Sequence, residues 1–154
     1  MVPGGKTYRT RDALLADPAI GAVLVLSPNH YHVEDALAAL QAGKHVLIEK
    51  PIAESRKGIA TLERAASAAG RLCMPAHNYI YAPSLIRLKR LIAEGRLGEL
   101  ASLWILYNIF HGEEVARRYG GVLREVAVHH AYSLLYLVGH LSFSYGTAPG
   151  IKTA

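Results

Sequence analysis

"AVLVLSPNHYHVEDALAALQAGKHVLIEKPIAES", residues Ala22 to Ser55, carries the pattern that decides the fold. Ala22 to Leu26 is a short continuous apolar run, as expected of a strand covered on both faces. Val33, Ala36, Leu37 and Leu40 then recur at i, i+3, i+4 and i+7, one helical stripe, and Gly43 is placed to stop that helix. The next apolar run, Val46 to Ile48, halts at Glu49, Lys50 and Pro51. Strand, helix and strand with short connections predict a parallel sheet with helices on its faces.

The same alternation extends both ways. Upstream, Ala13, Leu14 and Leu15 form a short helical pattern that ends at Pro18. Downstream, Ser55 can cap a helix whose Ile59, Leu62 and Ala66 face inward until Gly70, and "RLCMPA" reads as another short strand. Around Tyr79 to Pro83 the pattern changes, which places a domain boundary near Asn78. Pro83 suits the first turn of a helix running to Glu94, with Gly95 after it. "ELASLWILYNIF", Glu99 to Phe110, is rich in aromatic and branched residues and predicts a strand of a larger, partly exposed sheet. A helix is expected from about Val122 to Val138, ended by Gly139, and the aperiodic "SFSYGTAPGIKTA" is expected to fray. There is no internal repeat and no low-complexity tract.

Composition narrows the classes. With 51% hydrophobic residues in 154, the chain is not disordered, and no run approaches the roughly 18 apolar residues of a membrane span. The start, "MVPGGKTYRTRDALL", has no apolar core of a secretory signal, and Cys73 has no second cysteine to pair with; both point to a reducing cytoplasm. The net charge is +5, but its densest cluster, Arg87, Lys89 and Arg90, alternates with apolar residues as the polar side of an amphipathic helix. No aromatic residues accompany it for base stacking, so no nucleic-acid partner is expected.

Four stretches invite chemistry. "PGGKT" lacks the upstream glycine of a phosphate-binding loop and is expected to be a flexible start. "SPNHYH" lies where an apolar strand ends and a helix begins, the edge at which open parallel sheets bind ligands. There Pro28 stiffens the turn, and Asn29 can either cap the helix or bond a ligand; His30 and His32 have no thiol or carboxylate arranged with them, so no metal is expected. "EKP" ends the next strand on the same edge. Lys50 can handle a proton there, with Glu49 holding its charge or bonding a ribose, or the pair can be a salt-bridged turn. Finally, Glu125 and His129 are four apart on one helix face, which allows an acid/base pair or an ordinary surface pair; His130 lies off that face.

Taken together, "AVLVLSPNHYHVEDALAALQAGKHVLIEKPIAES", "HNYIYAP", "LIAEGRLGEL" and "GGVLREVAVHH" resemble the glucose–fructose oxidoreductase/inositol dehydrogenase (Gfo/Idh/MocA) family, over about residues 8 to 140. The family patterns are T-P-N-x-x-H, A-G-K-H-V, E-K-P, H-N-x-R-F-x-P and G-G-x-L-x-D-x-G-x-H. The resemblance implies an α/β fold: part of a Rossmann-type parallel sheet in residues 1–78, then the beginning of an α+β domain for substrate and oligomer contacts in 79–154. It implies an oxidoreductase that transfers hydride between a sugar or polyol hydroxyl and NAD or NADP, possible as a homo-oligomer. Lys50, His129 and Glu125 are the implied catalytic residues, and Pro28, Asn29, Glu49, Lys50 and Pro51 the implied cofactor contacts. The chain departs from the family in several places. The first strands and Gly-rich turn have no counterpart, Ile80 stands where an arginine is common, Glu125 replaces an aspartate, and Tyr132 replaces another three after the histidine. These departures imply the alternative of a truncated, non-catalytic remnant that associates through exposed sheet edges.

Overall fold

The computed structural model describes residues 5–108, 112–114 and 122–139, with side chains of the last segment from Val126 onward. The described residues fall into two compact units, which divide after Asn78 and again within the last helix after Val128.

The first unit is built on strand–helix–strand crossovers. A short helix α1 (Arg11–Leu15) opens on Thr10, whose hydroxyl accepts the Ala13 N–H. Strands β1 (Ala22–Val25), β2 (His45–Ile48) and β3 (Cys73–Pro75) form one parallel sheet in the order β1-β2-β3. Helices α2 (His32–Gln41) and α3 (Arg56–Ala69) make the crossovers. Register sets Val25 beside Ile48 and Ile48 beside Pro75, so all three strands end at one edge. The core gathers Leu15, Val25, Ala36, Ala39, Leu40, Val46, Ile48 and Leu62, with Val33 and Leu37 packed against it. That is the α2 stripe read from its spacing.

Local chemistry terminates each element. Gly43 takes φ +73° just after α2, and Gly70 takes φ +60° at the end of α3, the left-handed region that side chains avoid. Ser55 caps α3 by accepting the Gly58 N–H at 3.1 Å.

Two expectations fail here. β1 is not covered on both faces: Leu24 is 52% exposed and Leu26 65%. The reason is that Leu24 shares a sheet face with its register neighbours Leu47 and Met74, and this face is left open among the described residues, with Met74 47% exposed as well. Ile59 does not face inward but is exposed, because Leu62, Ala65 and Ala66 carry the buried side of α3. Cys73 is half-buried, and burial pushes its thiol pKa up.

In the second unit, helix α4 (Pro83–Ala93) has its proline in the first turn and Gly95 at φ +66° beyond it. The strand expected over Glu99 to Phe110 does not form in its described part, residues 99–108, where Trp104 and Leu106 are largely exposed. Among the described residues no strand pairs with it, and β-propensity alone cannot supply those hydrogen bonds. Helix α5 (Val122–Val138) forms as its periodicity predicts, with Gly139 at φ +80° after it. The expected fraying of the C-terminal tail lies outside the described residues, as do Pro3 and Gly4 of "PGGKT", while Lys6 of that stretch pairs with Asp17 at 2.5 Å.

Candidate active site

The carboxyl edge of the sheet brings three loops side by side: Ser27–Pro28–Asn29 after β1, Glu49–Lys50–Pro51 after β2, and His77–Asn78 after β3. Parallel register places them there, since the Glu49 N–H reaches the Val25 carbonyl at 3.0 Å and the Ala76 N–H reaches that of Ile48 at 2.8 Å.

His32 locks the first two loops together. Its Nε2 lies 2.7 Å from the Ser27 carbonyl and its Nδ1 2.8 Å from the Pro51 carbonyl, with only 1% of the residue exposed. Both partners can only accept, so a neutral ring satisfies one carbonyl and an imidazolium both. The sequence reading weighed His32 as a metal ligand and matched it to the T-P-N-x-x-H pattern, but missed this role. Its signal was the histidine's spacing from the strand-end serine, which sets it on the first turn of α2. Among the described residues, no three His, Cys, Asp or Glu side chains come together to hold a metal.

Asn29 lies inside a single 3-10 turn (Asn29–Tyr31), and its side chain caps neither that turn nor α2. The capping role is therefore not taken up, and its half-exposed amide remains on the edge. Pro28 holds the turn entry extended at φ −58°, ψ 146°. The Glu49 carboxylate accepts the backbone N–H of Lys50 at 2.7 Å, a contact that the strand-end pairing did not anticipate. Lys50 and Pro51 are half-buried beside it, joined by a cis peptide bond.

Charge around the edge is uneven. Glu34 and Asp35 occupy the first turn of α2, where Arg11 reaches them at 3.0 and 2.7 Å. Burial opposes ionisation of Asp35, but the Ser27 hydroxyl, donating at 2.6 Å, and Arg11 together hold its carboxyl below the usual range. A helix start already carrying two carboxylates is a poor seat for a pyrophosphate. Burial lowers the pKa of His77 on the third loop.

A second cluster lies in the second unit. His129 and Tyr132, three apart on α5, are both buried, with Nδ1 2.6 Å from the Tyr132 hydroxyl. The Tyr79 ring stacks on the imidazole at 4.2 Å and 17°. A hydrogen bond to Tyr107, then burial, push the Tyr79 phenol pKa up. Glu125 is on α5, but its side chain lies outside the described residues, so the Glu125–His129 pair does too. Lys89, read as part of a solvated basic face, instead donates to the carbonyls of Tyr136 and Leu137 near the end of α5.

A parallel sheet crossed by helices, with ligand-type side chains gathered at its carboxyl edge, defines a nucleotide-binding α/β protein of the Rossmann class. Residues 2–77 match the family described as "Oxidoreductase family, NAD-binding Rossmann fold". Scyllo-inositol 2-dehydrogenase (NADP(+)) IolW of Bacillus subtilis is 35% identical over 115 residues, covering 75% of this chain and 32% of the relative. The 1,5-anhydro-D-fructose reductase of Ensifer adhaerens is 32% identical over 141 residues, 87% of this chain and 42% of the relative. Among solved structures, yvaA of Bacillus subtilis superposes with a TM-score of 0.81 at 33% identity, covering 90% of this chain and 40% of that one. The chain belongs to the Gfo/Idh/MocA oxidoreductase family, whose Rossmann fold binds NAD. It spans between 32% and 42% of the length of those curated relatives.

Proposed function

We propose that this chain contributes the nicotinamide end of an NAD(P) site to a cytoplasmic oxidoreductase acting on a sugar or polyol hydroxyl. Residues 1–78 supply part of the Rossmann domain, and 79–154 part of a domain for substrate and subunit contacts. The observation that carries this reading is the His32 tie, which fixes the Asn29 and Lys50 loops on adjacent parallel strands. The named activities of the relatives, on scyllo-inositol and 1,5-anhydro-D-fructose, support that substrate class.

Pro28, Asn29, Glu49 and Pro51 would hold the cofactor, which supplies a hydride acceptor or donor when bound. Lys50 would take the hydroxyl proton in oxidation and return it in reduction. Glu49, bonded to the Lys50 N–H, stiffens the loop that carries this lysine. His129 would orient the substrate oxygen, with Glu125 acting on His129.

Titrating the purified chain with NADH and NADPH, read by nicotinamide fluorescence, tests the reading. A saturable signal at micromolar cofactor supports it; none up to millimolar cofactor overturns it. If turnover with an inositol is measurable, Lys50→Met should lower kcat by about 100-fold or more.

A second reading, an association module without catalysis, is favoured by Leu24 and Leu26 standing exposed on an edge strand. Sedimentation separates the two: concentration-dependent assembly with no nicotinamide signal selects the second.

A further inference from the structure

His32 faces two acceptors with a ring that, when neutral, has one proton to give. Its Nε2 lies 2.7 Å from the Ser27 carbonyl and its Nδ1 2.8 Å from the Pro51 carbonyl. Each ring nitrogen has a single in-plane hydrogen-bonding direction, so these two carbonyls engage both. An imidazolium donates to both. In a neutral ring one nitrogen sets its lone pair against a carbonyl lone pair, and with 1% of the residue exposed water cannot relieve that contact. The two carbonyls are not held alike. Ser27 is also tied through its hydroxyl, which donates at 2.6 Å to Asp35 on the first turn of α2, the helix that carries His32. Pro51 comes from the β2 loop, 19 positions away, and as a proline has no N–H to anchor it.

We propose that His32 is a proton-operated lock on the loop that carries Lys50. Protonated, it bonds the Ser27 and Pro51 carbonyls together; neutral, it keeps its proton on Nε2 for Ser27 and releases Pro51. The released carbonyl shares a rigid peptide plane with the Ile52 N–H, so that plane is free to turn one residue after Lys50. The lock closes toward acid and opens toward base, and its bearing on hydride transfer rests on the reading of this edge as the nicotinamide end of the site. Asp35 supplies the counter-charge. It follows His32 by three residues on the same helix face, and its carboxylate attracts the protonated ring. Burial opposes ionisation of Asp35, but the Ser27 hydroxyl and Arg11 hold its carboxyl below the usual range, so it stays an anion while the ring changes state. The other charges on the surrounding elements are Glu34 on α2, bonded to Arg11 of α1, Glu49 and Lys50 on the β2 loop, and Arg56 and Lys57, exposed at the start of α3. Two further imidazoles belong to this edge, exposed His30 in the 3-10 turn and His77 on the third loop, while His45 begins β2 at its opposite end.

Two-bond 1H–15N spectra of the full chain, uniformly labelled with 15N and 13C, read both His32 nitrogens from about pH 5 to 9 without cofactor or substrate. The expected course is two protonated nitrogens in acid, then a protonated Nε2 and a bare Nδ1 in base. At the His32 midpoint, and not at those of His30 or His77, the Pro51 carbonyl 13C resonance should move upfield as it loses its donor. The Ser27 carbonyl resonance should stay. A neutral ring with its proton on Nδ1 overturns the proposal, as does the lack of any His32 transition across that span, or a Pro51 resonance that ignores the transition. All three are read on the unaltered chain. Asp35→Asn should move the midpoint to lower pH, and an unmoved midpoint in the folded variant overturns Asp35 as the counter-charge. If the lock operates while NAD(P)H gives no saturable signal, the oxidoreductase reading falls and the lock stands.

Discussion

His32 carries more of the site than its position on a helix start implies. Removing the ring takes away the group that contacts both the Ser27 and the Pro51 carbonyls and donates to at least one of them, in a part-buried setting. His32→Ala should therefore cost about 2–4 kcal/mol of stability, read as a lower urea midpoint. It should also weaken any nicotinamide signal, because the Asn29 and Lys50 loops lose their tie. His77 predicts a pH dependence. Burial sets its folded pKa below the ordinary 6.5, so on acidification the unfolded chain binds that proton first. The stability it contributes is complete above 6.5 and is lost as pH falls through the lower folded value. His77→Asn should flatten the stability profile in that window, as measured by urea unfolding across pH; an unchanged slope would count against the assignment.

At the scale of elements, α3 sets two effects against each other. Gly58 lies in its first turn, where alanine is the better helix former by about 1 kcal/mol. A Cβ there, however, would meet Ala53 Cβ at 3.0 Å and Val33 Cγ2 at 3.2 Å, with Ser55 Oγ at 3.5 Å. The clash lies against a helix already packed on the core, and it should win. Gly58→Ala is expected to destabilise by about 1–2 kcal/mol, measured by thermal unfolding, whereas Ser55→Ala should cost about 1 kcal/mol through the lost cap. The contrast between α2 and residues 99–108 follows the same logic. The α2 stripe was legible because a helix makes its hydrogen bonds within itself and only its buried face needs a neighbour. The apolar stretch after Glu99 was misread as a strand, because strand formation depends on a partner that its own residues do not name.

On the scale of the whole molecule, the side of β1 that has no partner strand among the described residues stands out. Arg11, Leu14, Leu15, Val23, Leu24 and Leu26 border an open groove of about 260 Å³. A parallel strand with exposed leucines and unpaired edge groups is prone to pair with another chain. Leu24→Lys with Leu26→Lys should reduce concentration-dependent association in sedimentation velocity while leaving the circular dichroism intact. Unchanged association would place the contact elsewhere.

The sequence by itself determined the order of elements in the first unit, their ends at Gly43, Ser55 and Gly70, and the two strand ends that carry Asn29 and Lys50. All of these depend on residues near in the chain, through periodicity, capping and turn chemistry. Only the tertiary structure decided that His32 binds two loops, that Glu49 turns to the Lys50 N–H, that Gly58 must stay small, and that Tyr132 grips His129. Two of these join groups distant in sequence, as His32 meets the Pro51 carbonyl across 19 positions. Spacing along a chain cannot express which lone pair faces which proton; packing does.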